Sequence, residues 1–266
     1  MKSLADKNVV ITGGAAGIGM LMALNFANEK ANVAIVDIDA KKLEETKKEI
    51  AQTGAVVHSY KCDVSQQLEI EDTAESIKKK FGQVDILINN AGIAPGEWIT
   101  EATFSQIERT VDVNLIGLMW MTRQFLPEMT QRNQGHIVNI SSAMGLQAVP
   151  RMADYVATKF AIIGYSDTLR IEMKRMGCPG VKVTIVCPAG IDTGLFDGYE
   201  PPMLTPLLKP EYVAKKIVKA VKKEKKYLKM PAVVHTIPFL RLLPPGITDK
   251  LAEMMGLFKS MDHLER

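Results

Sequence analysis

A tyrosine and a lysine stand four positions apart in the stretch DYVATKFAII, residues 154 to 163, among small and apolar residues. Positions i and i+4 are stacked neighbours on an α-helix, so Tyr155 and Lys159 would project from one face. A fixed cation beside a phenol favours the phenolate and lowers the pKa of the tyrosine toward working pH. Such a tyrosine could exchange a proton with a substrate oxygen. Taken alone, the pair is more often a half-buried core tyrosine with a solvated surface lysine.

The elements that must position this pair alternate between short β-branched runs and helical patterns. Strands are expected at 8–12, 32–37, 55–62, 84–89, 136–141 and 181–187, with a short one near 227–232, and helices at 17–29, 40–52, 66–81, 104–133, 154–177 and 210–223. Runs that are apolar almost throughout are typical of strands buried on both faces of a parallel sheet. The alternation predicts an α/β fold, a single-domain, Rossmann-type, doubly wound parallel sheet flanked by helices, over residues 1–266.

A glycine-rich loop follows the first strand in VVITGGAAGIG, at the start of the first long helix. Gly13, Gly17 and Gly19 would permit a tight turn and let the backbone approach a pyrophosphate. Asp37 ends the second strand, 18 positions beyond Gly19. A carboxylate there can bind both ribose hydroxyls of adenosine and would repel a 2′-phosphate. NAD is therefore favoured over NADP, although two lysines shortly after Asp37 leave NADP as the alternative.

The spacing T-G-x-x-x-G-x-G, together with the tyrosine and the lysine, resembles the short-chain dehydrogenase/reductase family over roughly residues 5 to 230. The motifs CDV, NNAG, VNLIG, NISSAMG and CPAGIDTG follow in the order of the family, with Ala189 where glycine is more usual. The catalytic residues that the resemblance implies are Asn114, Ser142, Tyr155 and Lys159. The cofactor contacts that the glycine loop and the resemblance imply are Gly13, Ala16, Gly17, Ile18, Gly19, Asp37, Asp63, Val64, Asn90, Ala91, Gly92, Tyr155, Lys159, Pro188, Gly190, Ile191 and Thr193.

The resemblance also assigns a role to each catalytic side chain. Tyr155 would carry the proton, and Ser142 would orient the substrate oxygen. Lys159 would lower the pKa of the phenol and hydrogen-bond the nicotinamide ribose, while Asn114 would hold a water that links Lys159 to solvent. The implied reaction interconverts a secondary alcohol and a ketone, or a primary alcohol and an aldehyde, and the hydride chemistry belongs to the cofactor.

The segments expected to contact the substrate are apolar. Residues 194–209 are predicted to form a lid, and 231–266 an apolar C-terminal extension that lines the pocket, a subunit interface or a membrane surface. Within the family the chain looks most like the subgroup of steroid/retinol-type hydroxysteroid dehydrogenases, which predicts a small lipophilic substrate. A broad-specificity carbonyl reductase acting on small ketones and a non-catalytic nucleotide-binding scaffold are the alternatives.

The composition of the chain narrows the other function classes. Its 33 Lys and Arg nearly balance 30 Asp and Glu, so no nucleic-acid partner is predicted. The three cysteines and four histidines lack metal-ligand spacing, and no metal is predicted. Without an apolar run of about 18 residues or a signal-peptide pattern, we expect a cytoplasmic protein with no transmembrane segment, for which peripheral membrane contact stays open. The resemblance implies a homodimer or homotetramer through the helices at 104–133 and 154–177.

Overall fold

The computed structural model describes residues 3–196 and 198–263. Asp197, within the predicted lid, and residues 1–2 and 264–266, at the ends of the predicted domain, lie outside the described residues. Seven parallel strands form one sheet in the order β3-β2-β1-β4-β5-β6-β7. Their bounds are β1 Asn8–Thr12, β2 Asn32–Asp37, β3 Val57–Lys61, β4 Ile86–Asn89, β5 Gly135–Ile140, β6 Val181–Pro188 and β7 Tyr227–Met230.

Helices cover both faces of the sheet. Their bounds are α1 Gly17–Asn28, α2 Ala40–Ala51, α3 Gln67–Phe81, α4 Phe104–Val111, α5 Gly117–Gln131, α6 Ala153–Arg175, α7 Pro210–Lys222, α8 Ile237–Leu240 and α9 Pro245–Met254. α1 packs against α2 and α7, and α3 packs against α5. The predicted doubly wound α/β fold is therefore confirmed, with the change of strand order between β1 and β4 at the place where such sheets bind ligands.

The central residues of the inner strands are mostly apolar because helices cover both faces of the sheet. In β1, Val9 and Ile11 pack into the core layer that contains α1 and α7, whereas Val10 between them packs into the opposite layer. All five residues of β1 are buried. Alternate side chains of a strand point to opposite faces, so a strand with two buried faces needs an apolar residue at every position.

The helix predicted at 104–133 is interrupted. A π-helical segment, Asp112–Ile116, separates α4 from α5. Asn114 lies in this segment and is hydrogen-bonded in both directions to the main chain of Ile93. The wider turn places this amide against the loop after β4, which fits the frequent occurrence of π-bulges at functional sites.

The C-terminal extension folds into short helices that lie against the body of the domain. One helical turn, Ala232–His235, precedes α8, and another, Leu257–Lys259, follows α9. No helix in the part of the chain that the structure describes is long and apolar enough to cross a membrane.

Candidate active site

Two glycines, one in the loop between β1 and α1 and one in the first turn of α1, cannot be replaced without strain. Gly13 has a φ of 62°, in the left-handed region that other residues rarely adopt. A Cβ on Gly19 would lie 1.9 Å from the carbonyl oxygen of Gly13. The loop and the first turn of α1 can therefore pack only with glycine at position 19.

The first turn of α1 has backbone N–H groups with no side-chain partner. Ala16 precedes the helix, makes no capping hydrogen bond, and no acidic residue stands in the first turn. Unpaired N–H groups and the helix dipole favour an anion at such an end. Gly13, Ala16, Gly17 and Ile18 line a cleft of ≈ 350 Å³ at this point. The cleft is therefore suited to a pyrophosphate.

Asp37 presents a fixed carboxylate at the end of β2. Its Oδ2 accepts a hydrogen bond from the Ala15 N–H at 3.1 Å, and its Oδ1 accepts one from the Asp39 N–H at 3.2 Å. These bonds hold the side chain in the wall of the same cleft. The structure thus places a negative charge where the sequence predicts contact with the adenosine ribose.

The loop after β4 is tied to the glycine-rich loop. The Thr12 hydroxyl accepts hydrogen bonds from the N–H groups of Asn90 and Ala91, at 3.0 and 3.1 Å. The Asn90 amide donates to the Gly13 carbonyl at 3.0 Å. Gly92 follows directly, and a Cβ there would lie 3.6 Å from the Lys159 amine. These hydrogen bonds hold the loop after β1 and the loop after β4 together, so that the two loops form one continuous wall of the cleft.

Tyr155, Lys159 and Ser142 meet at one end of the cleft. Tyr155 and Lys159 are each 4% exposed, and the Lys159 amine lies 5.3 Å from the centre of the Tyr155 ring. The amine donates a hydrogen bond to the Ile140 carbonyl at 3.1 Å. The Ser142 hydroxyl lies beside the Tyr155 phenol and interacts with it, and it accepts a hydrogen bond from the Met144 N–H at 3.1 Å. The tyrosine and lysine that the sequence singles out therefore lie together with a serine in one buried cluster.

The pKa of Tyr155 is opposite to the sequence expectation. Burial raises the pKa of the phenol above its ordinary value, and the hydrogen bond with Ser142 opposes this rise without cancelling it. Burial lowers the pKa of the Lys159 amine to about 8. Desolvation outweighs the opposing interaction with Ser142, so the phenol by itself does not have the lowered pKa that the sequence predicts. The predicted effect of Lys159 on this pKa stays a prediction.

Asn114 serves mainly as a brace. Its Oδ1 accepts from the Ile93 N–H at 2.8 Å, and its Nδ2 donates to the Ile93 carbonyl at 2.9 Å and to the Thr158 hydroxyl at 3.3 Å. The amide donors are therefore engaged by protein groups. Its predicted part in holding a water beside Lys159 stays a prediction.

A second and larger cavity opens beside the cleft. It measures ≈ 530 Å³ and shares Ser142, Ala189 and Phe196 with the cleft. The Phe196 ring stands edge-on to the Tyr155 ring, at 5.7 Å and 88°. The cavity is lined by apolar residues of the segment after Thr193 and of the C-terminal extension, among them Pro202, Val234, Ile237, Leu257 and Met261. The extension therefore lines a pocket, which is one of the three roles that the sequence left open.

Hydrogen bonds join the C-terminal extension to the site. Arg151 Nη1 donates to the carbonyls of Met261 and Asp262, at 2.7 and 2.8 Å. The Glu200 N–H donates to the Ser260 carbonyl at 3.0 Å, and the Met203 N–H to the Met255 carbonyl at 2.9 Å. Met261 is 1% exposed and packs in the cluster that contains Tyr155. The end of the extension is thus fixed beside the predicted proton carrier.

Most of the predicted site residues meet in the cleft. The residues that line it are Gly13, Ala16, Gly17, Ile18, Asp37, Asn90, Ala91, Gly92, Ser142, Tyr155, Lys159, Pro188, Ile191 and Thr193. Gly190 lines the second cavity instead. Gly19, Asp63, Val64 and Asn114 are not among the residues that line the cleft.

Asp63 is engaged by protein partners. Its Oδ2 accepts from Arg109 Nη1 at 2.9 Å, and its Oδ1 accepts from the Ser65 N–H at 3.0 Å. Burial raises the pKa of this carboxyl, but the hydrogen bonds from Arg109 and Ser65 outweigh it and hold the pKa below its ordinary value. Val64 is buried, and its carbonyl faces Gly117, where a Cβ would meet it at 2.3 Å. The predicted contact of this pair with adenine stays a prediction.

Sequence reasoning missed several residues of the cleft wall. Ile140, Ser141, Ala189, Gly194, Leu195 and Phe196 line it as well. The Ser141 hydroxyl donates to the Lys159 carbonyl at 2.8 Å, and so fixes the lysine from the other side. Ser141 precedes the predicted serine, and the last three belong to the segment 194–209 that the sequence predicts as a lid, so only their contact with the nucleotide cleft was missed. Adjacency to predicted positions was the available signal.

Comparison with known proteins agrees with this geometry. A sequence model described as short chain dehydrogenase matches residues 7–202. Epidermal retinol dehydrogenase 2 of Homo sapiens is 40% identical over 265 residues, which cover 98% of this chain and 86% of that protein. Retinol dehydrogenase 10-B of Danio rerio is 34% identical, covering 92% of this chain and 80% of that protein.

A solved structure supports the fold and the cofactor class. The crystal structure of a short chain dehydrogenase/reductase from Burkholderia phymatum in complex with NAD superposes with a TM-score of 0.83 at 26% identity, covering 91% of this chain and 95% of that one. The cleft at the start of α1 has the glycine loop, the uncapped helix end and the carboxylate that a nicotinamide dinucleotide requires. The chain therefore belongs to the short chain dehydrogenase family, and it is an oxidoreductase that acts on alcohols.

Proposed function

We propose that the protein interconverts a lipophilic, retinol-like alcohol and its aldehyde or ketone, with NAD(H) as the hydride carrier. The observation that carries this proposal is the apolar cavity of ≈ 530 Å³ that opens onto Ser142 and shares a wall with the nucleotide cleft. An apolar pocket with a few convergent polar groups is typical of a site for a small lipophilic molecule. The two retinol dehydrogenases among the relatives agree with a substrate of this kind.

Residues on both sides of the cleft would hold the cofactor. The N–H groups at the start of α1 would bind the pyrophosphate, and Asp37 would accept hydrogen bonds from the adenosine ribose. Lys159 and the loop at Gly92 lie together at the far end, where the nicotinamide ribose would be held. When bound, the nicotinamide accepts a hydride from an alcohol or donates one to a carbonyl.

The chain itself supplies orientation and proton transfer. Ser142 can hold the substrate oxygen by its hydroxyl while the neighbouring phenol of Tyr155 donates or accepts the proton at that oxygen. Burial lowers the pKa of the Lys159 amine to about 8, which is still high enough for the amine to be largely charged at neutral pH. A charged amine beside the ring favours the phenolate as the proton leaves.

We infer that the cofactor is NAD rather than NADP. The Asp37 carboxylate is held in the cleft wall by two N–H groups and cannot easily turn away. A 2′-phosphate bound beside it would bring two negative charges together, which is unfavourable at short distance. Of the two lysines that follow, Lys42 lies at the start of α2, where its Nζ is 3.6 Å from Asp39 Oδ2.

We propose that residues 194–209 act as a lid over the substrate. Phe196 and Pro202 line the apolar cavity, and Phe196 stands edge-on to Tyr155. The backbone hydrogen bonds to Ser260 and Met255 connect this segment to the C-terminal extension. A bound substrate would therefore be enclosed by the two segments together, which excludes water from the reacting atoms.

The test is a steady-state assay of cofactor absorbance with NAD and NADP. The panel contains retinol, long-chain primary alcohols, steroid alcohols, isopropanol and acetone. Each methylene buried in an apolar cavity contributes about 0.8 kcal/mol, so we expect kcat/KM to rise at least about tenfold from isopropanol to the long-chain alcohols. Equal or better turnover of the small alcohol and ketone would favour the broad-specificity carbonyl reductase and overturn the lipophilic proposal.

A further inference from the structure

Polar side chains besides Ser142 line the apolar cavity. Among them are Gln147, Arg241, Thr248 and Asp249. They belong to the loop after β5, to the residue after α8 and to α9, whereas Ser142 is the polar group at the reacting end. A substrate that fills the cavity would therefore meet polar groups at a second place besides its reacting oxygen.

Arg241 is held in a defined orientation at this wall. Its guanidinium carbon lies 4.8 Å from the centre of the Phe160 ring, and its Nη1 lies 3.4 Å from the Leu146 carbonyl oxygen. Phe160 also lines the cavity. A guanidinium that stacks on an aromatic ring keeps its N–H edge directed outward. Within the described residues Arg241 forms no ion pair, so most of its five donors are available to a ligand.

The guanidinium and the reacting end belong to the same cavity. Ser142, Phe160 and Arg241 all line the space of ≈ 530 Å³. One flexible molecule in this cavity could therefore place a hydroxyl at Ser142 and a second oxygen group at Arg241.

Charge decides which second group fits. A planar guanidinium matches a carboxylate, because two parallel N–H donors meet two oxygens, and among such anions the singly charged carboxylate suits an apolar cavity better than a doubly charged phosphate. Asp249 on the same wall opposes an anion, but it lies on α9 and makes no contact within ion-pair distance of Arg241 among the described residues. Two opposite charges on one wall predict opposite effects of their removal, which makes the assignment testable.

We propose that Arg241 is a specificity-determining residue that binds a carboxylate at the distal end of the substrate, so that the preferred substrates are long-chain hydroxy acids. The inference rests on the proposed function, since it assumes that the hydroxyl of a lipophilic alcohol reacts at Ser142 and Tyr155. It adds a chemical requirement that a plain hydrocarbon alcohol does not meet.

The experiment compares dodecanol with ω-hydroxydodecanoate, and the octyl and hexadecyl homologues vary the distance between the hydroxyl and the carboxylate. We expect kcat/KM to favour the hydroxy acid about fivefold to tenfold in the best-fitting length, the size expected for a charge-assisted hydrogen bond that is partly exposed to water. Arg241→Met should bring the ratio of kcat/KM for the hydroxy acid to that for dodecanol down to about one, while Asp249→Asn should increase this ratio.

Lys250→Met is the matched control, because it removes an exposed cation next to Asp249 that does not line the cavity. Absence of a preference in the wild type, or equal losses for both substrates in Arg241→Met, would overturn the inference while leaving the proposed function intact. Calorimetric binding of dodecanoate and dodecanol to the full chain tests Arg241 even if neither alcohol series is oxidised. Failure of turnover with tighter binding of dodecanoate would reject the proposed function and support the carboxylate site.

Discussion

Burial acts in opposite directions on the two groups that are central to the site. Tyr155 and Lys159 are both almost inaccessible, and desolvation raises the pKa of the phenol while it lowers that of the amine to about 8. The phenol is therefore protonated at neutral pH, and the amine next to its ring is mostly charged. At this scale the protein provides a proton donor that is ready for a carbonyl oxygen and a cation that stabilises the phenolate once the proton has left.

Tyr155→Phe tests the proton carrier directly. The substitution removes one oxygen and keeps the ring that packs against Phe196. We expect kcat to fall by about 10²- to 10⁴-fold, the usual contribution of a positioned acid or base, while the dissociation constant of NADH changes by less than about twofold. Tyr165→Phe on the same helix, whose ring packs in the opposite core layer, is the control. Retained activity in Tyr155→Phe would assign proton transfer to another group.

Asp37→Asn tests the choice of cofactor. Asparagine keeps the shape but has no charge, and its one oxygen can accept from only one of the Ala15 and Asp39 N–H groups. We expect the ratio of kcat/KM for NAD to that for NADP to fall by roughly tenfold or more, since the repulsion of a 2′-phosphate is lost. Asp72→Asn, on the exposed face of α3, should leave the ratio unchanged. An unaltered ratio in Asp37→Asn would mean that another group discriminates between the cofactors.

At the scale of elements, the sequence pattern is sufficient for the sheet and the helices that cover it. All seven strands lie within about two residues of their predicted bounds, because residues buried on two faces leave an unmistakable apolar run. The π-helical segment at Asp112–Ile116 was not predicted, since it depends on the contact of Asn114 with Ile93, a distant loop. Local periodicity carries no information about such a contact.

The part of the site that depends on local sequence signals was predictable as well. Gly13, Asp37 and Lys159 follow from loop geometry, strand ends and helix spacing, all of which are local. The position of the C-terminal extension is a tertiary property, so its apolar composition was compatible with a pocket wall, an interface or a membrane surface. Only the structure places Met261 beside Tyr155.

Arg151→Ala tests whether this extension supports the site. The variant loses the hydrogen bonds to the Met261 and Asp262 carbonyls, which are worth roughly 1–3 kcal/mol to a charged donor. We expect the C-terminal segment to be cut faster by chymotrypsin and KM for long-chain alcohols to rise about threefold to tenfold, with NADH affinity unchanged. Arg123→Ala, an exposed arginine on α5, is the control. Unchanged proteolysis and KM in Arg151→Ala would show that the bonds are dispensable.

At the scale of the whole molecule, stability at acid pH should depend on a buried histidine in the sheet. His136 on β5 lies 2.7 Å from the Thr184 hydroxyl on β6, and that hydroxyl donates to the Lys225 carbonyl. Threonine has one hydroxyl proton, which goes to the Lys225 carbonyl, so Nε2 must be the donor to the Thr184 hydroxyl. Burial lowers the pKa of this imidazole to about 4.

The cytoplasmic location and the homo-oligomer stay predictions at this scale.

The sign of the effect follows from proton uptake. Unfolded His136 binds a proton below about pH 6.5, whereas the folded protein resists it until about pH 4. The free energy of unfolding should therefore be fully maintained above pH 6.5 and decline by up to about 3 kcal/mol as the pH falls to 4. Urea unfolding of the wild type and of His136→Gln at pH 5 and pH 7 measures the contribution, with exposed His235→Gln as control. An equal pH dependence in wild type and His136→Gln would contradict it.

Backbone hydrogen bonds join Glu200 to Ser260 and Met203 to Met255. They have a consequence for chimaeric proteins in which segments are exchanged between relatives. A chimaera that imports a foreign segment at 194–209 but retains the native C-terminus would combine two backbones whose register was set by different sequences. Substrate range in this protein should therefore be transplanted as a matched pair of segments, and single-segment grafts should lose activity before they acquire a new one.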